Sequence, residues 1–193
     1  MKKKNKNYTT LGASNHVLAD REINDYYATD PKAMHLLLEQ ETFNKNVWEV
    51  ASGEGHLVNV LKDYGYDVYS TDIINRGAQD DIIDFLSYQG EFDGDIITNP
   101  PFKYAKEFVL KSLDIIPEGN KVAMFLKLTF LEGKSRKDFF VNTPFKTLYV
   151  SSSRIVCAKN GQFEEFKSSA IAYGWYVWEK GFQGTPQIKW INW

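Results

Sequence analysis

The sequence predicts an α/β fold: a mostly parallel, seven-stranded sheet with helices on both faces and a C-terminal antiparallel hairpin. Short apolar runs alternate along the chain with stretches whose apolar residues recur at helical spacing, the pattern of strand–helix units in a parallel sheet. Near the end, Gly181, Gly184 and Pro186 lie between two strand-like runs, as in a turn that joins paired strands. The chain has 193 residues, 43% hydrophobic and 15% aromatic, enough to bury one sizeable core. No repeat, low-complexity tract or linker divides it. A polar arm over residues 1–28 and a single domain over residues 29–193 are expected.

Each element has a local cause. Asp30-Pro31 is a helix start, the aspartate capping and the proline fitting the first turn; Ala33, Met34, Leu36, Leu37 and Leu38 carry that helix to about residue 40. Residues 47–51 form a first buried strand and Ser52-Gly53-Glu54-Gly55 a turn. Leu57, Val58, Val60 and Leu61 then make a helical stripe ending before Gly65. A second strand covers residues 67–71 with Asp72 at its carboxyl end. A third short element covers 80–85 and a fourth strand 95–98. Residues 104–116 are helical until Pro117 stops them. A fifth strand over 121–128, a helix over 134–141 and strands near 146–151, 169–179 and 187–192 complete the order. The aromatic residues Tyr173, Trp175, Tyr176, Trp178, Trp190 and Trp193 read as sheet packing.

Composition narrows the function. A single cysteine, Cys157, in an apolar stretch, reads as a small core residue; it excludes a disulfide framework and suits a reducing cytoplasm. No apolar run reaches the ~18 residues of a membrane span, and the lysine-rich start leads into polar sequence rather than a signal-peptide core. His16, His35 and His56 show no ligand spacing, so no metal is expected. The formal net charge of -2 conceals an asymmetry: residues 1–97 carry 9 Lys+Arg against 17 Asp+Glu, and residues 98–193 carry 14 against 8. An acidic half before a basic one suits a cofactor-binding front and a polyanion-facing back.

Two motifs carry chemistry. Asn99-Pro100-Pro101-Phe102 follows the apolar strand end directly and suits an amino group conjugated to a flat ring. Such a nitrogen is a poor nucleophile because its lone pair is delocalised. Acceptors on its hydrogens, here the Asn99 side-chain oxygen and a backbone carbonyl near Pro100, pull it towards tetrahedral geometry and favour the transition state. The prolines hold φ at about -65° and aim their carbonyls rigidly, and Phe102 offers a stacking face. The second motif, residues 49–55, is a glycine turn where doubly wound sheets bind ligands; Asp72 ends the next strand, where an acid accepts from both ribose hydroxyls. No third glycine follows Gly53 and Gly55 at dinucleotide spacing, so a nucleoside cofactor without phosphates fits better.

In this order the motifs resemble those of the amino-group methyltransferases that use S-adenosylmethionine, most closely the N6-adenine DNA methyltransferases. The resemblance covers about residues 26–103. It implies a Rossmann-like methyltransferase fold, S-adenosylmethionine as cofactor and direct methyl transfer without a metal. Glu49, Ala51, Ser52, Gly53 and Gly55 fall in the counterpart of the family's first motif, with Val50 where a proline is common; that turn wraps the methionine part of the cofactor. Asp72, with Ile73 beside it, matches the acid that holds the ribose. Asp84-Phe85 resembles the pair that bonds to and packs against the cofactor's adenine. Tyr27-Ala28-Thr29-Asp30-Pro31 resembles the motif that closes over the methionine end, which puts Tyr27 and Thr29 at the cofactor. Asn99, Pro100, Pro101 and Phe102 match the catalytic tetrad, and phenylalanine in the last place suits adenine N6.

The expected partner is nucleic acid, DNA first and RNA second. Lys103, Lys127, Lys134, Arg136, Lys137, Arg154 and Lys159 follow the tetrad and offer phosphate contacts, with Lys103, Lys134 and Arg136 nearest the substrate. A turn at residues 159–163 would carry Phe163 to the target base. About 90 residues follow Phe102 and the remaining strands use nearly all of them, so no separate target-recognition domain is expected. Sequence specificity would then come from loops, a second copy or a partner chain. Structured RNA and a protein glutamine amide stay open as substrates. So does cofactor binding without catalysis, against which the intact tetrad argues.

Overall fold

The apolar runs become strands of a central sheet in the computed structural model, which describes residues 28–155, 157–158 and 171–192. Tyr27 and the arm before it, Lys159, Phe163 and Trp193 lie outside the described residues. In chain order the strands are β1 (Ala28–Thr29), β2 (Asn46–Glu49), β3 (Asp67–Asp72), β4 (Asp81–Ile82), β5 (Asp95–Thr98), β6 (Lys121–Lys127), β7 (Phe145–Ser151), β8 (Cys157–Ala158), β9 (Tyr173–Glu179) and β10 (Gln187–Ile191). The helices are α1 (Lys32–Leu38), α2 (His56–Asp63), α3 (Ala105–Ile115) and α4 (Lys134–Val141). Eight strands form one sheet in the order β10-β7-β9-β6-β5-β2-β3-β4, and β1 pairs with β8 in a separate antiparallel ribbon. The third short element of the sequence resolves into β4 and a 3-10 turn over Phe85–Ser87, which brings the strand count to eight rather than seven.

The antiparallel hairpin expected between the last two strands is replaced by another pairing. Strand β9 runs antiparallel to both β6 and β7, so both of its edges are taken. The link over residues 180–186 therefore carries the chain past β7. There β10 pairs in parallel on the outer edge, with Gln187 opposite Thr147 and Ile191 opposite Ser151. The turn glycines served a strand crossing, not a hairpin.

Alternation along the buried strands splits the core between the two sheet faces. Val47, Ile97, Ala123 and Phe125 pack with α1 and α2, while Trp48, Ile96, Val122 and Met124 pack with α3 and α4. Trp175, Tyr176 and Trp178 are fully buried, and the Trp175 indole N–H donates to the Ala33 carbonyl at 2.7 Å, tying β9 to α1. Trp190 differs from the packing expectation: on the outermost strand it is 70% exposed. Helix α1 starts at the expected Asp30-Pro31 pair, with Pro31 rather than Asp30 at the cap position and the Asp30 carboxylate accepting the Lys32 N–H at 3.0 Å.

This winding positions the site. Strand β2 leads through α2 to β3 on one side, and β5 leads through α3 to β6 on the other. The winding direction thus reverses between β2 and β5, which lie side by side with Trp48 opposite Ile96. Ligand crevices of doubly wound sheets open at the carboxyl ends of strands at such a reversal.

Candidate active site

The loop after β2 uses backbone conformations that need glycine. Gly53 (φ 56°) and Gly55 (φ 81°) are left-handed, and a Cβ on Gly55 would lie 3.2 Å from the Ala78 Cβ. The Gly53 N–H donates to Asp72 Oδ2 and the Ser52 N–H to the Thr71 carbonyl, both at 2.9 Å, which stitches the turn to the end of β3. Asp72 is buried, and its other oxygen accepts the Ile74 N–H at 3.0 Å. Each carboxylate oxygen has capacity for a second donor. Ile73, next to that acid, is an exposed apolar side chain.

Glu49 ends β2 with only 1% of its surface exposed. Its Oε1 accepts the Ala51 N–H at 3.1 Å, whereas Oε2, beside the Thr98 hydroxyl, and Ser52 Oγ are buried with no close hydrogen bond among the described residues. Burial pushes the Glu49 carboxyl up to about 8; Thr98 and Ala51 pull it down by less, and the charge of Asp72 adds to the rise. Buried polar atoms left unmatched beside an open-backbone turn suit a ligand bearing an ammonium or hydroxyl group.

Asn99 is half-buried at the end of β5, across the reversal from this turn. Its Nδ2 donates to Thr29 Oγ1 at 2.7 Å, a contact across 70 positions of sequence. Thr29 is buried in β1, opposite Cys157 of β8. Burial raises the Cys157 thiol to about 12, and the Tyr173 and Thr29 hydroxyls hydrogen-bond to it. Pro100 is buried, and the Pro101 carbonyl accepts the Tyr104 N–H at 2.9 Å, which closes the tetrad into a rigid turn.

Phe102 is half-buried beside the end of β6. The Lys127 ammonium lies 4.7 Å from its ring centroid, and Phe130 meets it edge-on at 6.3 Å. The Arg136 guanidinium stacks in turn on Phe130 at 4.0 Å, with Nη1 buried and without a hydrogen-bond partner among the described residues. Among the described residues, neither cation pairs with a carboxylate. Lys103 and Lys134 are exposed nearby, at the tetrad turn and the start of α4.

No family model matches the chain, and no curated protein matches it. Solved structures do. A Listeria monocytogenes protein assigned to the class I S-adenosylmethionine-dependent methyltransferases is similar with a TM-score of 0.59 at 14% identity, over 89% of this chain and 67% of that one. The fold is the Rossmann-like methyltransferase fold. A SAM-dependent O-methyltransferase from Thermotoga maritima gives 0.53 at 13% identity over 80% of this chain and 67% of that one. The M protein of the type I restriction enzyme EcoKI gives 0.53 at 13% identity, covering 79% of this chain and 43% of that one.

On this fold, the sequence-predicted residues Glu49, Ala51, Ser52, Gly53, Gly55, Asp72, Ile73 and Asn99 to Phe102 come together at the carboxyl ends of β2, β3 and β5. Asp84 and Phe85 have other contacts. The Phe85 ring lies in the core against Trp48 at 5.5 Å and Phe108 at 5.2 Å. Asp84 caps the following turn, accepting the Ser87 hydroxyl at 2.7 Å and the Leu86 N–H at 3.2 Å. Sequence reasoning counted Lys127 only among several basic residues; its position one strand over from the tetrad singles it out, and that depends on strand order. A separate hollow of about 180 Å³, lined by Glu41, Lys146, Tyr149 and Lys189 among others, opens at the amino ends of β7 and β10, away from the crevice. Among the described residues, no cluster of His, Cys, Asp and Glu could hold a metal ion, and no helix is long and apolar enough to cross a membrane.

Proposed function

We propose that the protein transfers a methyl group from S-adenosylmethionine to an exocyclic amino group, N6 of adenine in DNA. One observation carries the reading: the Asn99 tetrad and the Gly53–Gly55 turn end neighbouring strands on the two sides of the winding reversal. The likeness of fold to methyltransferases, one of them a restriction-enzyme M protein, supports it.

The chain's own residues fit the cofactor group by group. Glu49 and Ser52, with unmatched buried oxygens, receive the ammonium end of its methionine part. The left-handed glycines let that part approach the backbone. Asp72 accepts the ribose hydroxyls, Ile73 packs against the adenine, and Thr29 borders the methionine end. Bound there, the cofactor supplies a sulfonium-activated methyl carbon. Asn99 Oδ1 and the Pro100 carbonyl accept the two hydrogens of the target amine and turn its lone pair out of the ring plane. Phe102 stacks on the target base. Extruding a base from a duplex costs roughly a few kcal/mol, of which stacking returns about 1–3 kcal/mol. Lys127, with Lys103, Lys134 and Arg136 around it, adds phosphate contacts, which favours nucleic acid over a protein amide.

The test is mass spectrometry of nucleosides and peptides from DNA, RNA and protein incubated with the chain and isotopically labelled S-adenosylmethionine. Labelled N6-methyladenine from DNA is expected. Label confined to RNA or to glutamine would move the substrate class, and none in any fraction would overturn methyl transfer.

A further inference from the structure

We propose that Thr29 is a positioning residue whose hydroxyl fixes which end of the Asn99 amide faces the target amine. The inference rests on the amine-gripping role of Asn99 just described.

An asparagine amide presents two ends of nearly equal size and opposite hydrogen-bonding sense. Half a turn about its last torsion exchanges acceptor for donor, and steric packing hardly distinguishes the two. With nitrogen towards the target, the amide would set donor against donor and could not draw on the amine's hydrogens. Only a hydrogen-bond partner of one sense fixes the choice. A threonine hydroxyl can donate as well as accept, so it selects one sense when its own hydrogen is directed elsewhere; Thr29 Oγ1, 2.7 Å from Nδ2, then accepts one amide hydrogen and turns Oδ1 to the other side.

Thr29 suits this task for three reasons. It is 3% exposed, so water does not compete for the amide hydrogen. Its backbone is held in the β1–β8 ribbon, with Thr29 opposite Cys157, and a β-branched side chain there has few rotamers. Cys157, its partner in the ribbon, offers a sulfur towards which its hydroxyl hydrogen can turn, and a hydroxyl so directed keeps its oxygen lone pairs for Asn99. The ribbon thereby connects two segments distant in sequence to the orientation of one amide.

The test compares Thr29→Val, which keeps the shape and loses the hydroxyl, with Thr29→Ser, which keeps the hydroxyl. Two readouts are taken. Solvent exchange of the Asn99 side-chain amide hydrogens, followed by NMR and assigned with Asn99→Ser, should speed up about tenfold or more in Thr29→Val and stay near wild type in Thr29→Ser. In methylation assays kcat should fall about 100-fold in Thr29→Val. Cofactor affinity, to which Thr29 also contributes from the methionine end, should fall much less than kcat, and Thr29→Ser should recover most of the rate. Unchanged amide exchange overturns the proposal, as does weakened cofactor affinity at intact kcat, which would make Thr29 a cofactor contact only. Should the valine protein not fold, Thr29→Ala repeats the comparison. A protein that methylates nothing would defeat the proposed function, while amide exchange would still decide whether Thr29 orients Asn99.

Discussion

Glu49 gives the most quantitative test, because its buried carboxyl links stability, pH and ligand binding. Burial raises it from an ordinary 4.5 to about 8, so the native chain holds this proton more tightly than the unfolded chain. The stability it confers is complete below 4.5 and is lost progressively as pH rises to about 8, where the folded protein must carry an uncompensated buried charge. At 1.36 kcal/mol per unit the loss amounts to about 5 kcal/mol. Glu49→Gln keeps the shape and an oxygen for the Ala51 N–H but cannot ionise. The variant should match wild type near pH 4.5 and exceed it increasingly up to pH 8, by roughly 10–20 °C in melting temperature. Thermal melts of both proteins across that range measure it. A difference that does not change with pH, or a variant weaker throughout, would refute the argument. The linkage extends to the ligand: an ammonium group beside Glu49 favours the ionised form, so cofactor binding near pH 6.5 should release close to one proton. Calorimetry in buffers of different ionisation enthalpy should find that release in wild type and not in Glu49→Gln, whose affinity should also be weaker.

Three further outcomes are expected. Asn99→Ala should abolish turnover with cofactor affinity within a few-fold of wild type, read by radiolabel transfer and calorimetry; near-normal turnover would remove Asn99 from the chemistry. Asp72→Ala should weaken cofactor binding by about tenfold or more, since it removes the ribose acceptor and the partner of the Gly53 N–H; unchanged affinity would put the ribose elsewhere. Lys127→Met should weaken DNA binding and lower the slope of log affinity against log salt by about 1, measured by fluorescence anisotropy. An unchanged slope would leave Lys127 only as a partner of the Phe102 ring.

Local chemistry made the strand and helix order legible. Asp30-Pro31 starts α1, Pro117 follows the end of α3, and the apolar runs at β2, β5 and β6 are strands because each buries on both faces. What failed was pairing. Gly181, Gly184 and Pro186 say that the chain turns, but they do not say whether the strand before the turn still has a free edge. That depends on β6 and β7 having taken both sides of β9, a fact spread over more than fifty positions of sequence. Trp190 was misjudged for the same reason: its neighbours in sequence resemble those of Trp178, but it lies on the outermost strand.

The site divides along the same line. Gly53, Gly55, Asp72 and Asn99 announce themselves because each ends a strand or lies in the loop that follows one, and a strand's carboxyl end is a location the sequence specifies. Phe85 also follows a strand, yet its ring turns into the core against Trp48 and Phe108, and no periodicity in a short element predicts that direction. The contacts that set chemical sense are the least legible of all. Thr29 meets Asn99, and Lys127 meets Phe102, only after the sheet has wound back on itself. The tetrad thus identifies which amide could grip an amine, while its orientation belongs to residues that no motif contains. A homologue that kept Asn99 to Phe102 but lost the hydroxyl at position 29 should therefore fold and bind its cofactor, yet turn over slowly.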